Sequence, residues 1–137
     1  MHIVHSESSC GWGGQEIRVL EEAAGMLARG HGVTLLCPGA ARIHEEAARR
    51  GVPAVILPIA RKGLAGLRAM RAWLAHANCD VLNSHSSTDS WLAALALLGM
   101  KPRPALGRTR HISSAIPDNI ATRWLYQSAT RRIVTTA

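Results

Sequence analysis

Along the chain, short apolar runs rich in β-branched residues alternate with longer stretches whose apolar positions recur at helical spacing. The runs predict strands over Ile3–Ser6, Val33–Cys37, Ala54–Leu57, Val81–Ser84, Ala105–Arg108 and Arg132–Thr135. The longer stretches predict helices over Gln15–Arg29, Ile43–Arg50, Leu64–His76, Asp89–Leu98 and Asn119–Ser128. In the first helix Ile17, Leu20, Ala24, Leu27 and Ala28 share one face, with Arg18, Glu21, Glu22 and Arg29 largely outside it. Gly30, Gly51 and Gly99 each follow a helical run, where a left-handed terminal residue is favoured. Strict alternation of strand and helix predicts an α/β fold: a Rossmann-like, doubly wound parallel sheet of about six strands with helices on both faces. The order of such a sheet reverses beside its first strand, and the first and fourth strands would flank a ligand crevice at their carboxyl ends.

Composition narrows the class. A chain of 137 residues fits one domain, and at about 150 residues roughly two-thirds of the unfolded surface is buried. Its 47% hydrophobic and 18% charged residues describe a globular protein. The longest apolar run, Trp91 to Met100, falls short of the roughly 18 residues of a membrane span. The opening Met1-His2-Ile3-Val4-His5 has no basic segment leading into an apolar core, so no secretion signal is expected and the cytoplasm is the default location. Cys10, Cys37 and Cys79, odd in number and without C-x-x-C spacing, suit reduced thiols. The formal charge of +7 favours anionic partners: phosphates, nucleic acid or acidic lipid headgroups. With no Phe and one Tyr the chain lacks the stacking platforms of a nucleic-acid reader, and no nucleic-acid partner is expected.

Three stretches carry candidate chemistry. Between the first strand and first helix, Gly11-Trp12-Gly13-Gly14-Gln15-Glu16 would leave backbone N–H groups at the positive end of a helix, with no β-carbon to hold off a phosphate. Glu16 stands where a dinucleotide fingerprint has its third glycine, and the second strand ends in Cys37-Pro38-Gly39 instead of an acidic residue, so an NAD site is not expected. No Gly-Lys-Ser or Gly-Lys-Thr follows, which argues against a nucleotide-hydrolysing loop. A tight turn with no ligand is the plain alternative, and Glu16 there would simply complement the helix dipole. The second stretch, Asp80 to Ser87, puts His85 at a strand's carboxyl end, where it can bond a sugar hydroxyl or phosphate, take a proton, or simply bond nearby backbone. Ser86, Ser87 and Thr88 suit helix capping, since no Gly-x-Ser-x-Gly elbow is present. The third, Arg108-Thr109-Arg110-His111-Ile112-Ser113, is a cationic cluster that suits phosphate or acceptor binding, or a solvated loop. His2, His5, His31, His44 and His76 show no joint metal spacing, so no metal site is expected. Arg61, Lys62, Arg68 and Arg71 make the third helix basic and amphipathic; it suits either packing on its own sheet or contact with an anionic membrane.

Taken in order, Met1-His2-Ile3-Val4-His5, the turn Gly13-Gly14-Gln15-Glu16, the run Leu27-Ala28-Arg29-Gly30-His31-Gly32-Val33-Thr34-Leu35-Leu36 and Asp80-Val81-Leu82-Asn83-Ser84-His85 resemble the N-terminal domain of retaining, two-domain glycosyltransferases of the GT-B fold, the group-1, family-4-like enzymes. The resemblance extends over essentially the whole chain, and it implies one N-terminal, acceptor-side domain over residues 1–137, the C-terminal nucleotide-sugar domain being absent. It implies sugar transfer from a nucleotide-sugar donor, with retention, to a sugar or lipid-linked acceptor of the cell envelope. No cofactor is implied beyond the nucleotide-sugar co-substrate, and no obligatory metal. Carried onto this sequence, Gly13 and Gly14 would bind the donor diphosphate, His85 would be the catalytic residue facing the transferred sugar, and Gln15, Arg110 and His111 would line the acceptor side of the cleft. Gln15 departs from the small residue common at that position. The chain alone would be an inactive half-site, a fragment or truncated form, located in the cytoplasm at the inner face of the membrane with peripheral membrane contact. A nucleotide-sugar epimerase of the same fold and a non-catalytic α/β binding module are the alternatives.

Overall fold

A computed structural model describes residues 1–135. The chain folds as β1 (His2–Ser6), α1 (Gly14–Ala28), β2 (Gly32–Cys37), α2 (Arg42–Arg49), β3 (Ala54–Ile56), α3 (Leu64–His76), β4 (Val81–Ser84), α4 (Ser87–Ala96), β5 (Ala105–Arg110), α5 (Ile120–Arg123) with a π-helical turn over Trp124–Ala129, and β6 (Arg132–Thr135). All six strands are parallel in the order β3-β2-β1-β4-β5-β6. The expected reversal therefore lies between β1, which pairs Ile3 with Val33 of β2, and β4, where the same Ile3 pairs with Val81.

Helices cover the two faces through two separate apolar clusters. Leu35 and Cys37 point to one face, packed with Val19 and Leu20 of α1 and Ile43 and Ala47 of α2. Leu36, between them, points to the other, with Leu82 of β4, Leu106 of β5, Met70 of α3 and Leu92 of α4. Two-residue periodicity makes a doubly covered strand apolar at successive positions, which is why β2 reads as an unbroken run. The apolar side of α3 is used within the fold: Met70 and Leu74 are buried in the second cluster, with Leu67 and Trp73 against it. Gly66 is needed there, because a β-carbon would lie 2.7 Å from the Pro58 carbonyl oxygen. Arg71 of the same helix donates to the Ala96 and Leu98 carbonyl oxygens, 2.7 Å each, closing the end of α4.

Boundaries shift where side chains compete with periodicity. The fourth helix starts at Ser87, two residues before the expected Asp89, because the Asp89 carboxylate accepts the Ser86 N–H and so starts the helix beneath itself. Strand β5 extends to Arg110, paired with β6. The last helix is not one α-helix over Asn119–Ser128. Asn119 caps one α-turn by accepting the Thr122 N–H at 2.8 Å, and the backbone then widens to π geometry, which ends where the Thr130 hydroxyl donates to the Leu125 carbonyl. The widened turn buries Leu125 and Ala129, stacks Trp124 on Trp91 at 6.1 Å and sets Tyr126 under the Arg108 guanidinium.

Candidate active site

Strand β1 changes character along its length. Val4 is buried in the apolar core, yet His5, Ser6, Glu7 and Ser8, at and just beyond the carboxyl end, are buried as well. Buried polar groups require partners, and these come from the neighbouring β4 and the start of α4.

Asp89, in the first turn of α4, is fully buried and accepts four hydrogen bonds. The Ser6 and Ser8 hydroxyls donate at 2.8 and 3.1 Å, the His85 and Ser86 backbone N–H groups at 3.0 Å each. Burial, and the Glu7 carboxylate nearby, push the Asp89 carboxyl up from its ordinary value against the pull of these donors. Glu7 accepts from the Ser9 N–H at 2.9 Å, from the Gln15 amide and from the Ser86 hydroxyl, while burial raises its carboxyl too. Gln15 also donates to the Ser86 hydroxyl oxygen at 2.9 Å, tying the start of α1 to the start of α4.

Beside this network three imidazoles form a hydrogen-bonded chain. His5 Nδ1 meets His85 Nε2 at 2.9 Å, and His85 Nδ1 meets His111 Nε2 at 3.0 Å, with successive ring centroids 5.2 Å apart. His5 and His85 are buried and His111 is half-buried, at the cleft end. Burial pushes the His5 ring down to about 4 and the His85 ring well below its ordinary value, the latter aided by its two histidine neighbours; His111 is lowered by burial as well. All three are therefore neutral near pH 7 and can share protons only in one direction along the chain. His5 Nε2, at the inner end, is buried with no partner among the described residues. The two hydrogen bonds fix the orientation of the three rings. Both ring nitrogens of His85 are therefore engaged.

At the glycine turn, Gly13 N–H donates to the Glu16 carboxylate at 2.9 Å and Gly11 N–H to the Ser9 hydroxyl at 3.0 Å. Glu16 is buried in this arrangement, consistent with its complementing the helix start. A helix leaves its first N–H groups without intrahelical acceptors, and in α1 these begin with Gly14 and Gln15. Nothing lies within 4 Å of where a Gly14 β-carbon would stand, so packing does not demand glycine there.

Next to the turn, a cleft of about 270 Å³ opens at the carboxyl ends of β4 and β5. Gln15, His85, Ser87, Arg108, Arg110 and His111 are among its lining residues, and Gly13 and Gly14 are not. The structure thus brings Gln15, His85, Arg110 and His111 to one cavity and leaves the glycines at its border. Sequence reasoning passed over His5, Glu7 and Asp89. The one signal was the polar run His5-Ser6-Glu7-Ser8 continuing a strand that starts apolar, a hint of a buried polar floor. Among the described residues no group of three or more His, Cys, Asp or Glu side chains is disposed to hold a metal ion.

A parallel α/β sheet with its polar residues gathered at the topological switch point is a ligand-handling fold, and comparison with known proteins specifies the class. The family model of Glycosyltransferase Family 4 matches residues 12–137, and the chain belongs to that family. None of the curated proteins matches it. Among solved structures it is similar to MurG of Acinetobacter baumannii (TM-score 0.72, 13% identity, 98% of this chain and 41% of that one). It is also similar to a glycosyltransferase of Rickettsia africae ESF-5 (TM-score 0.78, 16% identity, 98% of this chain and 36% of that one). A third is HepE of Anabaena, solved with UDP and glucose (TM-score 0.60, 16% identity, 80% of this chain and 29% of that one). The six-stranded Rossmann-like sheet is that of the N-terminal GT-B glycosyltransferase domain, and the chain spans less than half the length of each of these structures.

Proposed function

We propose that this chain is the acceptor-side half of a retaining glycosyltransferase that moves a sugar from a nucleotide-sugar donor to a sugar or lipid-linked acceptor of the cell envelope. The observation that carries the reading is the meeting, across the β1–β4 crevice, of an open helix start at Gly14 and a neutral imidazole chain ending at His111. HepE was solved with UDP and glucose, which supports a nucleotide-linked sugar as donor here.

In this reading the N–H groups of Gly14 and Gln15, at the positive end of α1, face the donor diphosphate, while the bond from Gly13 to Glu16 shapes the turn. Charge that develops on the departing diphosphate meets dipoles already in place, so little reorganisation accompanies bond breaking. His85, steadied from both sides, holds His111 toward the transferred sugar and acceptor, and neutral rings suit hydrogen bonding to hydroxyls. The nucleoside would be held by a second domain, with which this half forms the complete cleft. The excess of basic residues, Arg61, Lys62 and Arg68 among them, favours work at the inner face of an anionic membrane, and no described helix is long and apolar enough to cross one.

The test is titration of UDP- and GDP-sugars into the chain, followed by backbone amide resonances. Expected are shifts at Gly14 and Gln15 that disappear in Gly14→Val; binding unchanged by Gly14→Val overturns the donor site. Joined to a nucleoside-binding second domain, the chain should transfer sugar, whereas by itself it should show no turnover. Epimerisation of the donor without transfer would favour the epimerase alternative, and neither reaction would favour a binding module.

A further inference from the structure

The cleft beside the glycine turn is cationic in a way the donor site does not explain. Arg108 and Arg110 both line it, together with His85, His111 and the first turn of α4 at Ser87, and no Asp or Glu is among its lining residues. The ion pairs found among the described residues join Arg42 and Arg49 to Glu46 and Arg123 to Asp118, so none neutralises Arg108. The Arg108 guanidinium carbon instead lies over the Tyr126 ring, 4.7 Å from its centroid, and its Nε is buried with no partner among the described residues. Contact with the ring restrains the guanidinium without using its donors. Arg110 donates through Nη2 to the Ser114 carbonyl at 2.6 Å, which anchors its side chain within the loop that forms the other wall. Asp89 lies behind the cleft and tempers its potential, but its carboxylate is enclosed by four donors and does not reach the lining.

A guanidinium held against an aromatic ring, a second arginine and hydroxyl groups, with no carboxylate among the lining residues, match a tetrahedral oxyanion better than a neutral sugar. We infer that this cleft binds a phosphate group of the acceptor, with Arg108 as the residue that grips it. The inference rests on the glycosyltransferase reading only for the word acceptor; the anion site itself rests on the cleft. It is set apart from the proposed donor diphosphate position in that Gly13 and Gly14 are not among the residues lining the cleft. The phosphate is of the kind carried by a soluble sugar phosphate or by a lipid headgroup, and the two sources can be told apart.

The probe is sn-glycerol 3-phosphate, titrated into the 137-residue chain at low salt and followed by amide and arginine side-chain resonances. Expected is millimolar binding with shifts at Arg108, Arg110 and Ser87, unaffected by added glycerol. Arg108→Gln should weaken it about tenfold, since a charge-assisted bidentate contact is lost. Arg108→Lys, which keeps the charge and loses the fork, should weaken it by a smaller factor, about threefold. Arg49→Gln, on the distant helix α2, is the control for general charge. Absence of binding, equal loss in Arg108→Gln and Arg49→Gln, or binding that survives Arg108→Gln overturns the inference. If Arg108→Gln does not fold, Arg108→Lys and Arg110→Gln carry the same comparison, and binding unchanged in both overturns it. A second arm uses phosphatidylglycerol vesicles against phosphatidylcholine vesicles: Arg108-dependent attachment to the former indicates a lipid headgroup, and its absence beside glycerol-phosphate binding a soluble phosphate. Sugar transfer by the two-domain protein that is indifferent to Arg108→Gln would remove the phosphate site and leave the glycosyltransferase reading. Arg108-dependent phosphate binding without sugar transfer would do the reverse.

Discussion

Two helix starts face each other across the crevice, and they are built to opposite ends. Each has an acidic residue in its first turn that accepts a backbone N–H at the cap: Glu16 from Gly13 in α1, Asp89 from Ser86 in α4. In α4 the space is filled. Ser6, Ser8, His85 and Ser86 all converge on Asp89, and the Ser86 hydroxyl turns to Glu7. In α1 the space is empty, with a glycine whose absent side chain would touch nothing. The same electrostatic device is therefore enclosed by further hydrogen bonds at one start and not at the other, where we propose that the donor diphosphate binds. What distinguishes them is whether side chains from β1 reach the helix end.

The contrast breaks most readily at Asp89. Asp89→Ala strands four donors, three of them in buried bonds, and at about 1 kcal/mol or more each the unfolding free energy should drop by on the order of 4 kcal/mol, measured by urea denaturation. A drop below about 1 kcal/mol would mean that water replaces the carboxylate and that this start is not plugged. Next in size is the pH dependence at His5. Its ring in the folded chain should stay neutral until about pH 4, read from its carbon-bound proton resonances. The unfolded chain takes up that proton near 6.5, so acidification through this window favours unfolding, by about 3 kcal/mol from this group at full effect. Glu7 and Asp89 work the other way. Their raised folded-state values mean that the native state binds protons first, and stability from them increases as pH falls through those values. A His5 ring that titrates at its ordinary value would show that water reaches the inner end of the chain.

Smaller effects are expected on the open side. Glu16→Ala removes one capping bond and should cost about 1 kcal/mol, a quarter of the Asp89 effect. Gly14→Ala should leave stability unchanged or raise it by up to about 1 kcal/mol, because a methyl meets no atom within 4 Å and restricts the unfolded chain. Thermal unfolding checks both, and destabilisation by Gly14→Ala would show that the glycine is kept for the backbone and not for a ligand.

Much of this architecture could be read from local pattern. The strands and helices fell within a few residues of their observed bounds, and the placement of β4 beside β1 followed from the general winding rule. Misreadings occurred where a side chain far off in sequence or a change of helix type decided the matter. The π turn at Trp124–Ala129 is one case, since Leu125 and Ala129 sit at a spacing that suits an α-helix equally well. His85 is another: its position at a strand end was evident, but its burial between two further histidines was not.

By itself the sequence determined the alternation of elements, the glycine turn before α1 and the basic, carboxylate-poor segment at Arg108–Arg110, because these depend on neighbours a few residues apart and on charge. Only the tertiary structure decided which of those residues work together. His5 and His85 are 80 residues apart, Ser86 and Glu7 79, Asp89 and Ser6 83, and each pair forms only when β1 and β4 lie side by side. Periodicity carries no information about such meetings. A hydrogen bond between distant residues has no local signature until the sheet has set the distance.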